Sequence, residues 1–413
     1  MQVFMVTNSA GELMGWAKPL IEGLKRKNQA AKITVIIPPC QYATGMEKEV
    51  AKSFSGVDSV IGPTRYLKYL FWGLKPSSLK GVKEGVVVFL GGDPFHAVFL
   101  SKRLGLPAIA YIEKPRWKKH FKKFMVLDEV TKEKFIARGV KPERIVVVGD
   151  LMVDAVKLEI SREETYSFWH LDPTQLIVTL LPGSRLVELR FLTPFFLKVA
   201  ELLKEKFSQI QFLLILSPFA RINDLENLSQ RSLNHQGFEG TEFQIIQRND
   251  QYRLKTLSGL EVLLIQGRHY EAMSISDLAI TLPGTNTLEL ASLGIPMVVA
   301  APFNRPEAIP LEGLPGLIGR FPLGGGLIKG WLARRYVSQI QFTALPNIRA
   351  KKRVVPEIRG VIEARDVAGP IIELLEDDSC RTRMGKELTK IVGKRGAADR
   401  AAEAVLQSAR VGG

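Results

Sequence analysis

S-D-L-A-I-T-L-P-G-T-N-T-L-E-L-A-S-L-G-I-P-M-V-V-A, Ser276 to Ala300, decides the fold of this chain. It reads as a buried strand (Leu278 to Leu282), a Pro-Gly turn, a helix, and a second buried strand (Ile295 to Ala300). Thr285 and Thr287 fall where the helix begins. The first N–H groups of a helix have no partner within it, and its dipole favours an anion there. Gly284 lets a ligand come close to the backbone, and Glu289, two residues after Thr287, is within reach of a sugar hydroxyl. The pattern suits a nucleotide diphosphate. It also suits an ordinary strand-to-helix junction capped by threonine.

A second stretch, L-I-V-T-L-L-P-G-S-R from Leu176 to Arg185, repeats the design. An apolar strand runs into Pro182, Gly183 and Ser184, and Arg185 heads a long helical pattern. Arginine is always charged and presents a planar fork of donors that matches phosphate. Two such turns on neighbouring strands would face one ligand, because open α/β sheets bind ligands at strand carboxyl ends.

Outward from these stretches, buried strands alternate with amphipathic helices almost throughout. Strands are expected at Gln2 to Thr7, Ile33 to Pro38, Gly85 to Leu90, Ala108 to Ile112, Phe124 to Leu127 and Ile145 to Val148. Asn8 to Gly15 reads as a loop, and Ala97 to Leu104 as a helix. The pattern restarts at Leu176, with strands at Phe212 to Leu216, Phe243 to Ile246 and Val262 to Ile265 before the opening segment. Such βαβ order predicts parallel sheets covered on both faces. The polar segment Asp154 to Pro173 marks a junction, giving domains 1–160 and 161–413. Arg221 to Glu242 reads as an exposed helix and loop. Pro302 to Gly330, dense in Pro and Gly, reads as irregular. The tail from Asp366 to Val411 is helical. The fold class expected is α/β, with two doubly wound, Rossmann-like domains of the GT-B type facing each other across a cleft.

At 413 residues with 46% hydrophobic residues, the chain has enough apolar material for two cores. Cys40 and Cys380 form no metal or disulfide framework, which suits a reducing cytoplasm. The first residues do not resemble a signal peptide, and no apolar run reaches membrane-spanning length. Lys plus Arg number 57 against 42 acidic residues, a net charge of +15 that favours phosphate-rich partners. Part of the excess lies in R-Y-L-K-Y-L-F-W-G-L-K, Arg65 to Lys75, and K-P-R-W-K-K-H-F-K-K-F, Lys114 to Phe124. Cations mixed with rings suit an anionic membrane surface; they also suit a solvated face whose rings belong to the core. No nucleic-acid motif accompanies the charge.

Four stretches resemble the lipid-A-disaccharide synthase family: L-L-P-G-S-R-L-V-E-L (Leu180 to Leu189), L-P-G-T-N-T-L-E-L-A (Leu282 to Ala291), P-M-V-V-A (Pro296 to Ala300), and Tyr336 to Glu357, which is similar to the family's "SLPN-L-A-GR-VVPE" signature. V-V-G-D-L-M-V-D-A (Val147 to Ala155) is similar to its interdomain "VGHP" joint, and S-A-G-E (Ser9 to Glu12) to its "GE-SGD" loop. The resemblance implies transfer of an acylated aminosugar from UDP to a lipid-linked or phosphorylated sugar acceptor. It implies inversion, no metal, no cofactor beyond the UDP-sugar donor, and a cytoplasmic site at the inner membrane face. Position by position it makes Gly183, Ser184 and Arg185 diphosphate ligands and gives phosphate and ribose to Gly284, Thr285, Thr287 and Glu289. It places Asn347 and Glu357 on the donor side.

The chain also departs from the family. Met14-Gly15-Trp16 stands where the family has Ser-Gly-Asp, and the acceptor loop "D-A-P-x-F-N" is here G-G-D-P-F-H, Gly91 to His96. An inverting transferase needs a base for the acceptor hydroxyl and positive charge for the departing UDP. The candidates for the base are Glu12, Asp93 and His96. Two other readings stay open: a non-catalytic relative that binds sugar nucleotide or lipid, and a UDP-sugar epimerase on the same scaffold.

Overall fold

The computed structural model describes residues 1–40, 43–229, 239–302, 304 and 341–410. The chain divides into two compact units, Met1–Ala155 with Gly393–Gly413, and Val156–Val392. The first holds seven parallel strands: β1 (Gln2–Val6), β2 (Lys32–Ile36), β3 (Ser59–Ile61), β4 (Gly85–Phe89), β5 (Ala108–Tyr111), β6 (Lys123–Val126) and β7 (Ile145–Val147). Their order is β3-β2-β1-β4-β5-β6-β7. All are short, and the central ones are apolar on both faces, as a sheet sandwiched between helices requires. The chain leaves β1 toward β2 on one side while β4 lies on the other, so the loops after β1 and β4 flank the switch point.

The second unit carries β8 (Leu176–Leu181), β9 (Ile210–Ile215), β10 (Phe243–Arg248), β11 (Gln251–Thr256), β12 (Glu261–Ile265), β13 (Leu278–Thr281), β14 (Met297–Pro302) and β15 (Glu357–Gly360). Their order is β10-β11-β12-β9-β8-β13-β14-β15. Six are parallel, and β10 and β11 form an antiparallel extension beside β12. The switch point lies between β8 and β13, which pair Leu181 with Thr281.

Two Rossmann-like units are what the alternation of the sequence predicts. Three strands escaped it: β3 and β15 are only three and four residues long, and β11 is mostly polar. The expected loop Asn8 to Gly15 is the head of a helix. Ala10–Glu12, a π-helical turn at Leu13–Ala17, and Lys18–Lys27 follow one another. Ser9 and Glu12 form a capping box there, each satisfying the other's backbone N–H.

The domain boundary falls at Ala155, and the final helix returns to the first unit instead of staying with the second. The physical reason is a cap and a close fit. The Asp154 carboxylate accepts from the Gly396 and Ala398 N–H groups at 2.8 and 2.6 Å, and Arg400 donates to the Val148 carbonyl at 2.8 Å. A Cβ at Gly23 would lie 2.7 Å from the Ala398 carbonyl oxygen, so helices Lys18–Lys27 and Ala397–Arg410 touch through glycine. The stretch expected to be irregular, Pro302 to Gly330, lies almost wholly outside the described residues. So do residues 230–238 of Arg221 to Glu242 and residues 336–340 of the signature block.

Candidate functional site

The two Pro-Gly turns of the second unit leave adjacent parallel strands at the same height, Leu181 opposite Thr281. Neighbouring strands are about 4.8 Å apart, so one anion can touch both turns. The turns differ in what they offer. Gly183 has φ 111°, and a side chain there would run into the Glu188 carboxylate. One oxygen of Glu188 accepts from the Ser184 and Arg185 N–H groups at 2.9 and 3.0 Å; the other accepts from Arg185 Nη1 at 2.7 Å. The Ser184 and Arg185 N–H groups are thus occupied. What the first turn presents is the half-exposed Arg185 guanidinium, held by Glu188, and the Ser184 side chain. Glu188 was not among the expected residues, although its place three after Arg185 is the capping-box spacing.

The second turn is open. Gly284 has φ 153°, and no described atom lies within 4 Å of where its Cβ would be. The Thr287, Leu288 and Glu289 N–H groups bond to carbonyls of the turn, whereas those of Thr285 and Asn286 have no partner among the described residues. Those two N–H groups make an open donor pair at the start of the helix. Thr287 is not part of it: its hydroxyl is buried, donates to the Gly284 carbonyl at 2.7 Å and accepts from the Leu345 N–H at 3.3 Å. Glu289 is buried one turn below, and among the described residues it accepts only from the Tyr270 hydroxyl, at 3.2 Å. Burial pushes its carboxyl up to about 7, against the weaker effect of the Tyr270 hydrogen bond.

Asn347 and Glu357, expected on the donor side, are wired into the protein. Asn347 has no exposure; it donates to the Val355 carbonyl at 2.9 Å and to Glu357 at 2.7 Å, and accepts from the Val354 and Val355 N–H groups at 2.7 and 2.9 Å. Glu357 also accepts from Thr343 and Ala344, capping the helix Leu345–Ala350. Burial raises its carboxyl, but those bonds outweigh burial and hold it below the usual range. The pair braces the segment whose Leu345 N–H meets Thr287, so it supports the second turn from behind.

In the first unit the loops after β1 and β4 are tied by Glu12. Its carboxylate accepts from the Asn8, Ser9 and Gly92 N–H groups at 3.1–3.2 Å and from the Thr7 hydroxyl at 3.5 Å. Burial raises its pKa, with those backbone bonds opposing. Both oxygens are engaged, as a structural tie requires. Asp93 is exposed; it caps helix Pro94–Leu104 through the Phe95 N–H at 2.9 Å and lies 3.8 Å from Arg116. His96 sits in the first turn of that helix, its Nδ1 2.8 Å from the Tyr66 hydroxyl. Burial lowers its pKa and Asp93 opposes, so the ring is neutral near pH 7. Its Nε2 has no partner among the described residues, making His96 the candidate with an available ring nitrogen.

The aromatic–basic segments divide between core and surface. Tyr66, Tyr69, Phe121 and Phe124 are buried in one core cluster. Phe71, Trp72 and Leu74 are 69%, 71% and 61% exposed, and Trp117 is 42% exposed. On helix Pro63–Trp72, Arg65, Lys68, Phe71 and Trp72 share the outward face. No helix among the described residues is long and apolar enough to cross a membrane.

A family model for lipid-A-disaccharide synthetase matches residues 141–250 and 240–305. A lipid-A-disaccharide synthase of Geobacter sulfurreducens is 30% identical over 63% of this chain and 56% of its own length. The chain therefore spans little more than half of that relative. A lipid-A-disaccharide synthase of Actinobacillus pleuropneumoniae is 25% identical over 92% of this chain and 88% of its own. Among solved structures, the UDP-GlcNAc 2-epimerase of Neisseria meningitidis bound to UDP-GlcNAc aligns over 99% of both chains, with TM-score 0.55 and 14% identity. The S. aureus MnaA–UDP structure aligns over 97% of this chain and 94% of its own, with TM-score 0.56 and 12% identity. These likenesses establish the GT-B fold.

Proposed function

We propose, for a chain that is a divergent relative of the lipid-A-disaccharide synthases, that it is an inverting, metal-independent glycosyltransferase of lipid A biosynthesis. The donor is an acylated aminosugar on UDP. The acceptor is a lipid-linked or phosphorylated sugar presented at the cytoplasmic face of an anionic membrane. The observation that carries the reading is the pair of turns side by side at the β8/β13 switch point. Arg185 stands on one, two N–H groups without a partner among the described residues on the other, and Glu289 below.

The chemistry divides accordingly. The acceptor hydroxyl oxygen attacks the anomeric carbon on the face opposite UDP, and the bond from that carbon to the diphosphate oxygen breaks. Its electron pair stays on UDP, where the Arg185 guanidinium and the Thr285 and Asn286 N–H groups meet the growing charge. Glu289 takes the ribose hydroxyls. The hydroxyl proton passes to a base of the first unit, drawn from Glu12, Asp93 and His96. His96 is the strongest of the three on its free ring nitrogen and neutral state. The exposed cations and rings of helix Pro63–Trp72 support work at a membrane.

An epimerase reading keeps the same nucleotide seat and needs no acceptor. A binding protein keeps the seat without turnover. Calorimetry tests the seat itself: Arg185→Ala is expected to weaken UDP binding by roughly 1.5–3 kcal/mol, the scale of a charge-assisted hydrogen bond. Unchanged affinity refutes the assignment.

A further inference from the structure

One cavity of the first unit has no part in the chemistry above. It opens at the carboxyl end of β3, has a volume of about 430 Å³, and is lined by Lys48, Val60, Gly62, Thr64, Arg65 and Lys68. Two elements bring its cations together. Lys48 comes from helix Glu47–Ser53, and its stem lies over Gly62, where an added Cβ would sit 3.0 Å from Lys48 Cδ. Arg65 and Lys68 stand three apart on helix Pro63–Trp72. No carboxylate lines the cavity, and none of the three cations meets one among the described residues. The neighbouring cations Lys25 and Lys52 do, pairing with Asp58 and Glu49 at 3.3 Å. Like charges converging on a concavity repel one another, and the low-dielectric walls concentrate their field on whatever anion enters. Such a volume suits a small organic ligand better than a bare oxyanion.

We propose that this cavity binds the phosphate monoester of a phosphorylated sugar; calling that sugar the acceptor rests on the transferase reading. Its placement fits. Strands β1, β2 and β3 are parallel, so the cavity lies on the same sheet edge as Glu12. Helix Pro63–Trp72 turns Tyr66 inward to His96 and Arg65 and Lys68 outward. Cavity and His96 thus lie on two sides of one helix, about 10 Å thick. Phe71 and Trp72 continue the outward face and give apolar chains on the same molecule somewhere to lie.

The experiment is calorimetry with glucosamine 1-phosphate, glucosamine and inorganic phosphate, on wild type and on Lys48→Gln/Arg65→Gln/Lys68→Gln, with UDP affinity measured separately. All three substitutions are on the surface, and each removes the charge while leaving a polar side chain. Wild type is expected to bind the sugar phosphate at least tenfold more tightly than glucosamine or inorganic phosphate. The triple variant should lose at least tenfold of that affinity while UDP affinity moves less than twofold. Equal binding of glucosamine, or an unchanged variant, overturns the proposal. So does capture only by phosphatidic acid vesicles, which would assign the cations to bilayer lipid. Failure of UDP binding with the sugar-phosphate result intact would sink the transferase reading and leave the phosphate site standing.

Discussion

Replacing Glu289 by glutamine should change the pH dependence of both stability and nucleotide binding. Glutamine keeps an acceptor for the Tyr270 hydroxyl and cannot ionise. In the folded protein, burial holds the Glu289 carboxyl at about 7, against 4.5 ordinarily. The folded state therefore binds the proton more tightly than the unfolded chain, and stability falls as pH rises between those values. At roughly 1.4 kcal/mol per pH unit the loss is about 3 kcal/mol, complete above about pH 7. Wild type and Glu289→Gln should be nearly matched near pH 4.5, with the variant gaining progressively to neutrality. For a unit of this size, that gap corresponds to about 6–12 °C in melting temperature. UDP should add the second half of the effect. Ribose hydroxyls donating to Glu289 favour the carboxylate, so wild-type affinity should rise with pH up to about 7 and binding below it should release a proton. Calorimetry at pH 6 in two buffers of different ionisation heat counts that proton, and Glu289→Gln should abolish it. A stability gap constant from pH 5 to 8, or nucleotide binding with no proton release, refutes the reasoning.

Asn347→Ala should destabilise the second unit by at least about 2 kcal/mol, because it leaves the Val354 and Val355 N–H groups without their acceptor; denaturant titration reads this, and a loss under 0.5 kcal/mol contradicts the bracing role. Sedimentation with anionic vesicles should pull down wild type at low salt and release it at high salt; Phe71→Ser/Trp72→Ser should stay in solution, and equal recovery with neutral vesicles argues against the membrane face. Substituting Glu12, Asp93 and His96 singly should leave UDP affinity intact and cut turnover by about 10²–10⁴ for the true base. His96→Gln is expected to show that loss, and full turnover in all three variants places the base elsewhere.

The alternation of apolar runs made the two Rossmann-like units legible because a covered parallel strand has to be apolar on both faces. The pairing of the Gly183 and Gly284 turns was legible for the same reason: each ends an unmistakable strand. The occupant of the first turn was not. Sequence shows that Arg185 begins a helix, whereas the carboxylate of Glu188 claims the turn's N–H groups through side-chain geometry. The family resemblance alone put Asn347 and Glu357 on the donor side. Their hydrogen bonds show instead that they hold the chain's own turns. The return of Ala397–Arg410 to the first unit depends on Asp154 capping a helix more than two hundred residues later, a contact that local patterns do not carry.

The most direct test is turnover itself. Wild type given a UDP-linked acylated glucosamine, labelled in the sugar, should move the label to an acylated glucosamine 1-phosphate, with one UDP released per disaccharide and the new linkage inverted. UDP released together with free sugar in the absence of acceptor, or label that remains on UDP however much acceptor is added, contradicts the account.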